Sequence, residues 1–313
     1  MQSKNEIVKP IFIVGVPRSG TTLLYRILCH HSDLAWFSHE DLQFWIPKEN
    51  QEKLKKQLIQ RKENNEKIPN NEESLFVFGP KQKSLIKNTS KQPIEAEIFW
   101  NKYCGREYIK DISEDKKNDV IQEIQKVLER EKKSRFLNKS PTNSIRIFAL
   151  KKIFPDAKFI NIARDPRSVI ASMLQRHEKE GGFIKGIPLR NKPFGKISYL
   201  KQKFLLSSKD YDAVRDFSKK YQEITENIYD FSISHDENLI NVIYEELLTD
   251  PEKVIMKLLE FCELEKPSSM KELIPTIIET QNKWKEKLTK NDEEKIFRIV
   301  QSSIKKMNYP YKF

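Results

Sequence analysis

The apolar and polar positions divide the chain into short unbroken apolar runs and longer stretches in which apolar residues recur every three or four places. Ile11-Phe12-Ile13-Val14 is the first run; Gly15 ends it, and the pattern from Thr21 is helical, which predicts strand, tight loop and helix. His31 to Phe37 predicts a second short strand that ends at Ser38-His39-Glu40-Asp41. Charged helical sequence fills Asp41 to Asn65, and Ile68-Pro69-Asn70-Asn71 reads as a turn before the aromatic run Leu75 to Pro80. Pro93 to Cys104 and Glu114 to Lys132 predict two more helices, the second with Val120, Ile121, Ile124, Val127 and Leu128 on one face.

Strands then alternate with helices. Arg135 to Pro141 is a strand running into a turn, Ile145 to Leu150 lies in a helix, Ala157 to Ala163 is a strand, and a helix starts at Arg167. Gly181, Gly182, Gly186 and Gly195 with Pro188 and Pro193 mark a long irregular loop. A helix from Lys209 to Phe231, a strand from Leu239 to Tyr244, a helix from Glu246 to Phe261 and a helical C-terminal region ending at Pro310 complete the pattern. This alternation predicts an α/β, P-loop-type three-layer fold with a central, mostly parallel sheet, whose ligands lie outside the strand C-termini. One domain over 1–313 is expected, with a helical insertion at about 41–132 and a flexible loop at about 178–201.

Composition narrows the setting. The 57 Lys and Arg against 45 Asp and Glu give +12, which suits a polyanionic ligand, yet the lysines are dispersed among Glu and Asn as on a solvated surface. No aromatic-basic interleaving of the RNP kind occurs, so nucleic acid is not the expected partner. No run approaches the roughly 18 apolar residues of a membrane span, and Met1 to Lys9 is polar, so a soluble, cytoplasmic chain is expected. Cys29, Cys104 and Cys262 lack metal-ligand spacing and read as reduced thiols. No carboxylate pair at a strand end suits magnesium, and no metal is expected.

The chemistry concentrates in Pro17-Arg18-Ser19-Gly20-Thr21-Thr22, where a strand-to-helix loop points backbone N–H groups and a helix N-terminus at one place, an anion cradle. Gly15 and Gly20 have Walker A separation, but Thr21 stands where that motif has lysine, and the loop's cation is Arg18. A second cluster is Arg164 at a strand end and Ser172 on the following helix, a guanidinium and a hydroxyl that can converge on one phosphate.

The loop resembles the 5′-phosphosulfate loop of sulfotransferases that use 3′-phosphoadenosine 5′-phosphosulfate (PAPS), whose pattern is Pro-Arg/Lys-Ser-Gly-Thr-Thr-Leu/Trp. The resemblance implies that Arg18, Ser19, Gly20, Thr21 and Thr22 bind the 5′ end of PAPS and that Arg164 and Ser172, spaced as in the family's 3′-phosphate motif, bind its 3′-phosphate. In the tyrosylprotein sulfotransferase branch, Arg176 matches a further cofactor arginine, and Lys139 in Asn-Lys-Ser-Pro is similar to a lysine that contacts the transferring group. Tyr244 in Tyr-Glu-Glu-Leu resembles a strand-end tyrosine that touches the cofactor. Glu40 follows the second strand as that branch's catalytic glutamate does, whereas gapless alignment from Arg18 puts His39 there, and either side chain can accept a proton. Lys283 and Trp284 match only the general trait of a basic-aromatic segment over the nucleotide.

The expected activity is in-line sulfuryl transfer from PAPS, giving PAP (adenosine 3′,5′-bisphosphate), to a hydroxyl or amine of a small molecule, lipid or glycan. A P-loop kinase or ATPase, which would need Mg²⁺ and a loop lysine, and a catalytically silent nucleotide-binding protein are the alternatives.

Overall fold

In the computed structural model, which describes residues 7–38, 41–45, 93–105, 108–179, 212–267 and 283–310, the apolar runs become five strands of one sheet. They are β1 (Ile11–Val14), β2 (Leu34–Ala35), β3 (Arg135–Lys139), β4 (Lys158–Ala163) and β5 (Leu239–Ile243), in the order β2-β3-β1-β4-β5 with every neighbouring pair parallel. The mostly parallel sheet expected is therefore wholly parallel among the described strands, apart from an isolated antiparallel bridge between Ser38 and Pro93.

Side chains of a strand alternate between faces, and both faces here are covered, which is why β1 is apolar without interruption. Ile11 and Ile13 join the core formed with Leu24, Leu28, Leu258 and Leu259, whereas Phe12 and Val14 join the opposite core with Trp100, Phe136, Phe159 and Phe231. The first core is built by α1 (Thr21–Cys29) with the helices after β5. The second is built by α2 (Leu42–Trp45), α3 (Glu97–Cys104), α4 (Glu114–Glu131), α5 (Ile147–Ile153), α6 (Pro166–Lys179) and α7 (Ala213–Ser234), with a C-terminal helix described below.

Several boundaries differ from the pattern for local reasons. Pro93 to Ala96 is not helical: Ile94 donates its N–H to Phe37 O at 2.9 Å, and Ala96 takes φ 54° before α3 begins. The helix expected over Glu246 to Phe261 is two helices, α8 (Tyr244–Thr249) and α9 (Pro251–Phe261), because Pro251 cannot continue the first and Asp250 caps the second through Lys253 N–H at 3.1 Å. The C-terminal region is a short 3₁₀ turn (Lys283–Glu286) and α10 (Lys290–Lys306), started by a Thr289/Asp292 capping box. Of the expected insertion, α2 to α4 are described and 46–92 is not; of the expected loop, 180–201 lies outside the described residues. No described helix is long and apolar enough to cross a membrane, and the three cysteines are unbridged.

On α7, Lys220 is 9% exposed, and burial pushes its ammonium down from 10.5 to about 8. The charged form is disfavoured in the fold, so this group's contribution to stability rises as pH climbs from about 8 towards 10.5. Lys220→Met is expected to stabilise the protein at neutral pH by about 2 kcal/mol and to flatten that alkaline rise, as urea titrations at several pH values would read.

Candidate active site

Because the strands are parallel, their C-terminal ends share one edge, and Arg18, Lys139, Arg164, Ser172 and Tyr244 gather there. Ile13 of β1 is in register with Lys139 of β3, Val14 with Asn161 of β4, and Ala163 of β4 with Ile243 of β5. Lys139, Arg164 and Tyr244 therefore emerge around the loop that leaves β1.

That loop is held by specific contacts. Ser19 N–H bonds Val16 O at 3.1 Å, closing a tight turn. Gly15 has φ +144°, and a Cβ on it would lie 2.7 Å from Ile162 O, so only glycine fits beside β4. The buried hydroxyl of Ser144 brackets Gly15, accepting its N–H at 2.9 Å and donating to its carbonyl at 2.8 Å, while Asn227 holds Ser144 O at 2.7 Å. Nothing in the chain's patterning marks Ser144. Ser144→Ala leaves the Gly15 N–H buried without its partner and is expected to cost about 1–3 kcal/mol in a urea melt and to weaken anion binding at the loop.

Arg18 sits at φ 75°, a left-handed conformation unusual for a side-chain-bearing residue and common where function holds the backbone strained. Its Nε donates to Ser172 Oγ on α6 at 2.9 Å, and its carbonyl accepts from Arg164 Nη1 at 3.2 Å. The two clusters read separately from the sequence are thus one continuous surface. Arg164 lies over the Tyr244 ring at 4.2 Å, Tyr244 is 8% exposed, and Tyr221 donates to Arg164 O at 3.2 Å. Arg176 follows Ser172 by one turn on α6 and is exposed. Trp284 is buried, with the Arg167 guanidinium of α6 over its ring at 4.1 Å.

Two features of this surface suit an anion. Ser19 is 1% exposed, yet its Oγ has no hydrogen-bond partner, and neither has the buried Nε of Arg164. Unsatisfied buried donors of this kind are rare and fit an oxyanion ligand. The lysine that the loop lacks arrives from the neighbouring strand: Lys139 Nζ donates to Thr22 Oγ1 at 2.9 Å, and the residue is 1% exposed. Thr21 is buried at the first turn of α1 and Thr22 faces Lys139.

Lys139 also pairs with Glu95, which no motif in the sequence marks. The neighbouring Glu97 accepts from the Ser140 hydroxyl and from Thr142 Oγ1, the latter at 2.6 Å, fastening the start of α3 to the turn after β3. Burial pushes the Glu97 carboxyl above its usual range, against the opposing pull of Arg146. His39 and Glu40 lie outside the described residues. Their flanks are fixed, since Ser38 N–H bonds Asp41 Oδ2 at 2.7 Å and Arg130 bonds Asp41 Oδ1 at 2.6 Å. Among the described residues no cluster of three or more His, Cys, Asp or Glu could hold a metal ion.

A profile described as the sulfotransferase family matches residues 10–268. The chain belongs to the sulfotransferase family. The omega-hydroxy-beta-dihydromenaquinone-9 sulfotransferase Stf3 of Mycobacterium bovis is 29% identical over 189 residues, 54% of this chain and 45% of that relative, so the match spans less than half of the relative's length. Among solved structures, sulfotransferase STF9 from Mycobacterium avium superposes with a TM-score of 0.57 at 15% identity, covering 98% of this chain and 78% of that one. STF1 from Mycobacterium tuberculosis gives 0.52 at 17% identity, covering 93% and 77%. These likenesses carry the fold, and the matched region opens on β1 and the loop that leaves it.

Proposed function

We propose that this sulfotransferase moves the sulfuryl group of PAPS to a hydroxyl or amine of a small molecule, lipid or glycan. What supports the reading is the single basic surface formed by Arg18, Ser19, Lys139, Arg164 and Ser172 at the C-terminal edge of the sheet, with its unsatisfied Ser19 Oγ and Arg164 Nε. A donor with phosphate at two ends of one nucleoside suits a surface with cations at both ends.

In this reading the loop from Arg18 to Thr22 holds the 5′ end through backbone N–H groups and the start of α1, and Arg164 and Ser172 hold the 3′-phosphate, with Arg176 beside them. Tyr244 fixes Arg164 from below by its ring face. The bound donor supplies the sulfuryl group. Arg18 and Lys139 offset the charge that develops during in-line transfer, the buried Lys139 ammonium being worth more there than the same charge in water. No covalent enzyme intermediate and no metal are required. Glu40 and His39, outside the described residues, are the sequence's candidates for receiving the acceptor's proton. The name of the Stf3 relative, a hydroxylated menaquinone derivative, supports a lipid among the acceptor classes.

The test is calorimetric binding of PAP and of ATP with and without Mg²⁺, followed by transfer from radiolabelled PAPS into a crude metabolite extract. PAP binding that needs no Mg²⁺, with label appearing in an extract component, is the expected result. Preference for ATP with Mg²⁺ would instead mark a kinase or ATPase, and PAP binding with no transfer a silent nucleotide-binding protein.

A further inference from the structure

Glu95 has no place in the proposed chemistry so far, yet its carboxylate contacts the cation that serves the loop. Lys139 Nζ stands between Thr22 Oγ1, at 2.9 Å, and the Glu95 carboxylate. The Lys139 side chain is 1% exposed and that of Glu95 is 43% exposed, so the carboxylate stands between the buried ammonium and solvent. The acidic group is therefore the solvent-facing member of a pair whose cation contacts the loop through Thr22.

The backbone around Glu95 is tied down from both sides. Ile94 N–H bonds Phe37 O at 2.9 Å and Tyr25 Oη donates to Ile94 O at 3.3 Å. Ala96 follows at φ 54°, a left-handed geometry unusual for alanine, which turns the chain sharply into α3. Two residues on, Glu97 is engaged with the Ser140 and Thr142 hydroxyls and with Arg146, so its carboxylate serves the fold. Glu95 differs from it in facing Lys139 and solvent.

We propose that Glu95 is the general base of the transfer. The proposal rests on the PAPS reading and deepens it. The acceptor's O–H proton passes to the Glu95 carboxylate as the acceptor oxygen bonds sulfur. The bond from sulfur to the bridging oxygen of the 5′-phosphate breaks, leaving its electron pair on that oxygen as PAP departs. Lys139 holds the Glu95 carboxylate in place while the acceptor is absent, and offsets the charge gathering on the transferred group during reaction. The same carboxylate competes with the donor for Lys139, so its removal should affect binding and transfer in different ways.

The test compares Glu95→Gln and Glu95→Asp with the wild-type protein in three readouts: PAP affinity by calorimetry, transfer of label from PAPS to extract components and to water, and the pH dependence of that transfer. Glu95→Gln is expected to bind PAP as tightly as wild type or tighter, to lose transfer by about 100-fold or more, and to lose the fall in rate on the acid side. Glu95→Asp should recover part of the rate and restore the acid limb. Transfer within tenfold of wild type in Glu95→Gln overturns the proposal and returns the proton to Glu40 or His39, leaving the PAPS reading intact. PAP affinity falling in parallel with transfer overturns it in favour of a purely structural role. Wild-type protein that neither binds PAP nor transfers label overturns the donor assignment and this proposal together.

Discussion

Arg18→Ala protein is expected to transfer sulfuryl groups about 100- to 1,000-fold more slowly than wild type, while unfolding at nearly the same urea concentration. The backbone and the side chain of Arg18 do separate jobs. The backbone of Arg18 is left-handed at φ 75°, and its carbonyl receives Arg164 Nη1. Alanine at the same φ bears the same strain and keeps the same carbonyl, so the loop's shape and the Arg164 contact survive. The guanidinium is what disappears. With it goes the hydrogen bond to Ser172 Oγ at 2.9 Å, the link that joins the loop from β1 to α6. Arg18→Lys retains a charge but not the planar fork that bonds two oxygens at once, and an intermediate rate is expected. Labelled transfer, PAP calorimetry and a urea melt on the three proteins check the set. Arg18→Ala transferring within tenfold of wild type would remove the loop's cation from the mechanism.

How far the sequence announces this site depends on whether a feature is local. The apolar run Ile11 to Val14, the glycines around Arg18 and the start of α1 at Thr21 lie within one short stretch, where periodicity and turn chemistry act, and the fold reproduces them. Arg164 at the end of β4 and Ser172 on α6 were legible for the same reason, as strand end and following helix. Contacts between elements depend on the order of strands, which periodicity does not contain. Lys139 approaches Thr22 across 117 positions because β3 lies next to β1, and Glu95 reaches Lys139 because the bridge of Ser38 to Pro93 brings its segment to the same edge. Ser144 was invisible for a further reason, since a hydroxyl that supports a glycine's backbone looks like any turn serine. Tyr244 illustrates a mixed case. The pattern placed it at a strand end, and its role as the platform under Arg164 emerged only from packing.

That platform gives the second large effect, at Gly20. Gly20 precedes α1 with φ +102°, and a Cβ there would stand 2.3 Å from Cδ2 and 2.5 Å from Cε2 of the Tyr244 ring. Both distances are far inside contact, and the ring is 8% exposed, so it cannot swing into solvent cheaply. Alanine at this φ adds about 1–2 kcal/mol of backbone strain, and displacing a packed ring adds about 1–3 kcal/mol. Gly20→Ala is therefore expected to destabilise the fold by about 2–5 kcal/mol. The displaced ring carries the Arg164 guanidinium at 4.2 Å, and Arg164 in turn bonds the Arg18 carbonyl, so PAP affinity should fall at least about tenfold in the same protein, a coupling of about 1.4 kcal/mol. A double-mutant cycle isolates the cause. In a Tyr244→Ala background the ring is gone, and adding Gly20→Ala should cost only the backbone strain, about 1–2 kcal/mol. Urea melts of the four proteins measure the cycle. Equal costs in both backgrounds would mean that the ring is not the obstacle, and that Gly20 is required for its φ alone.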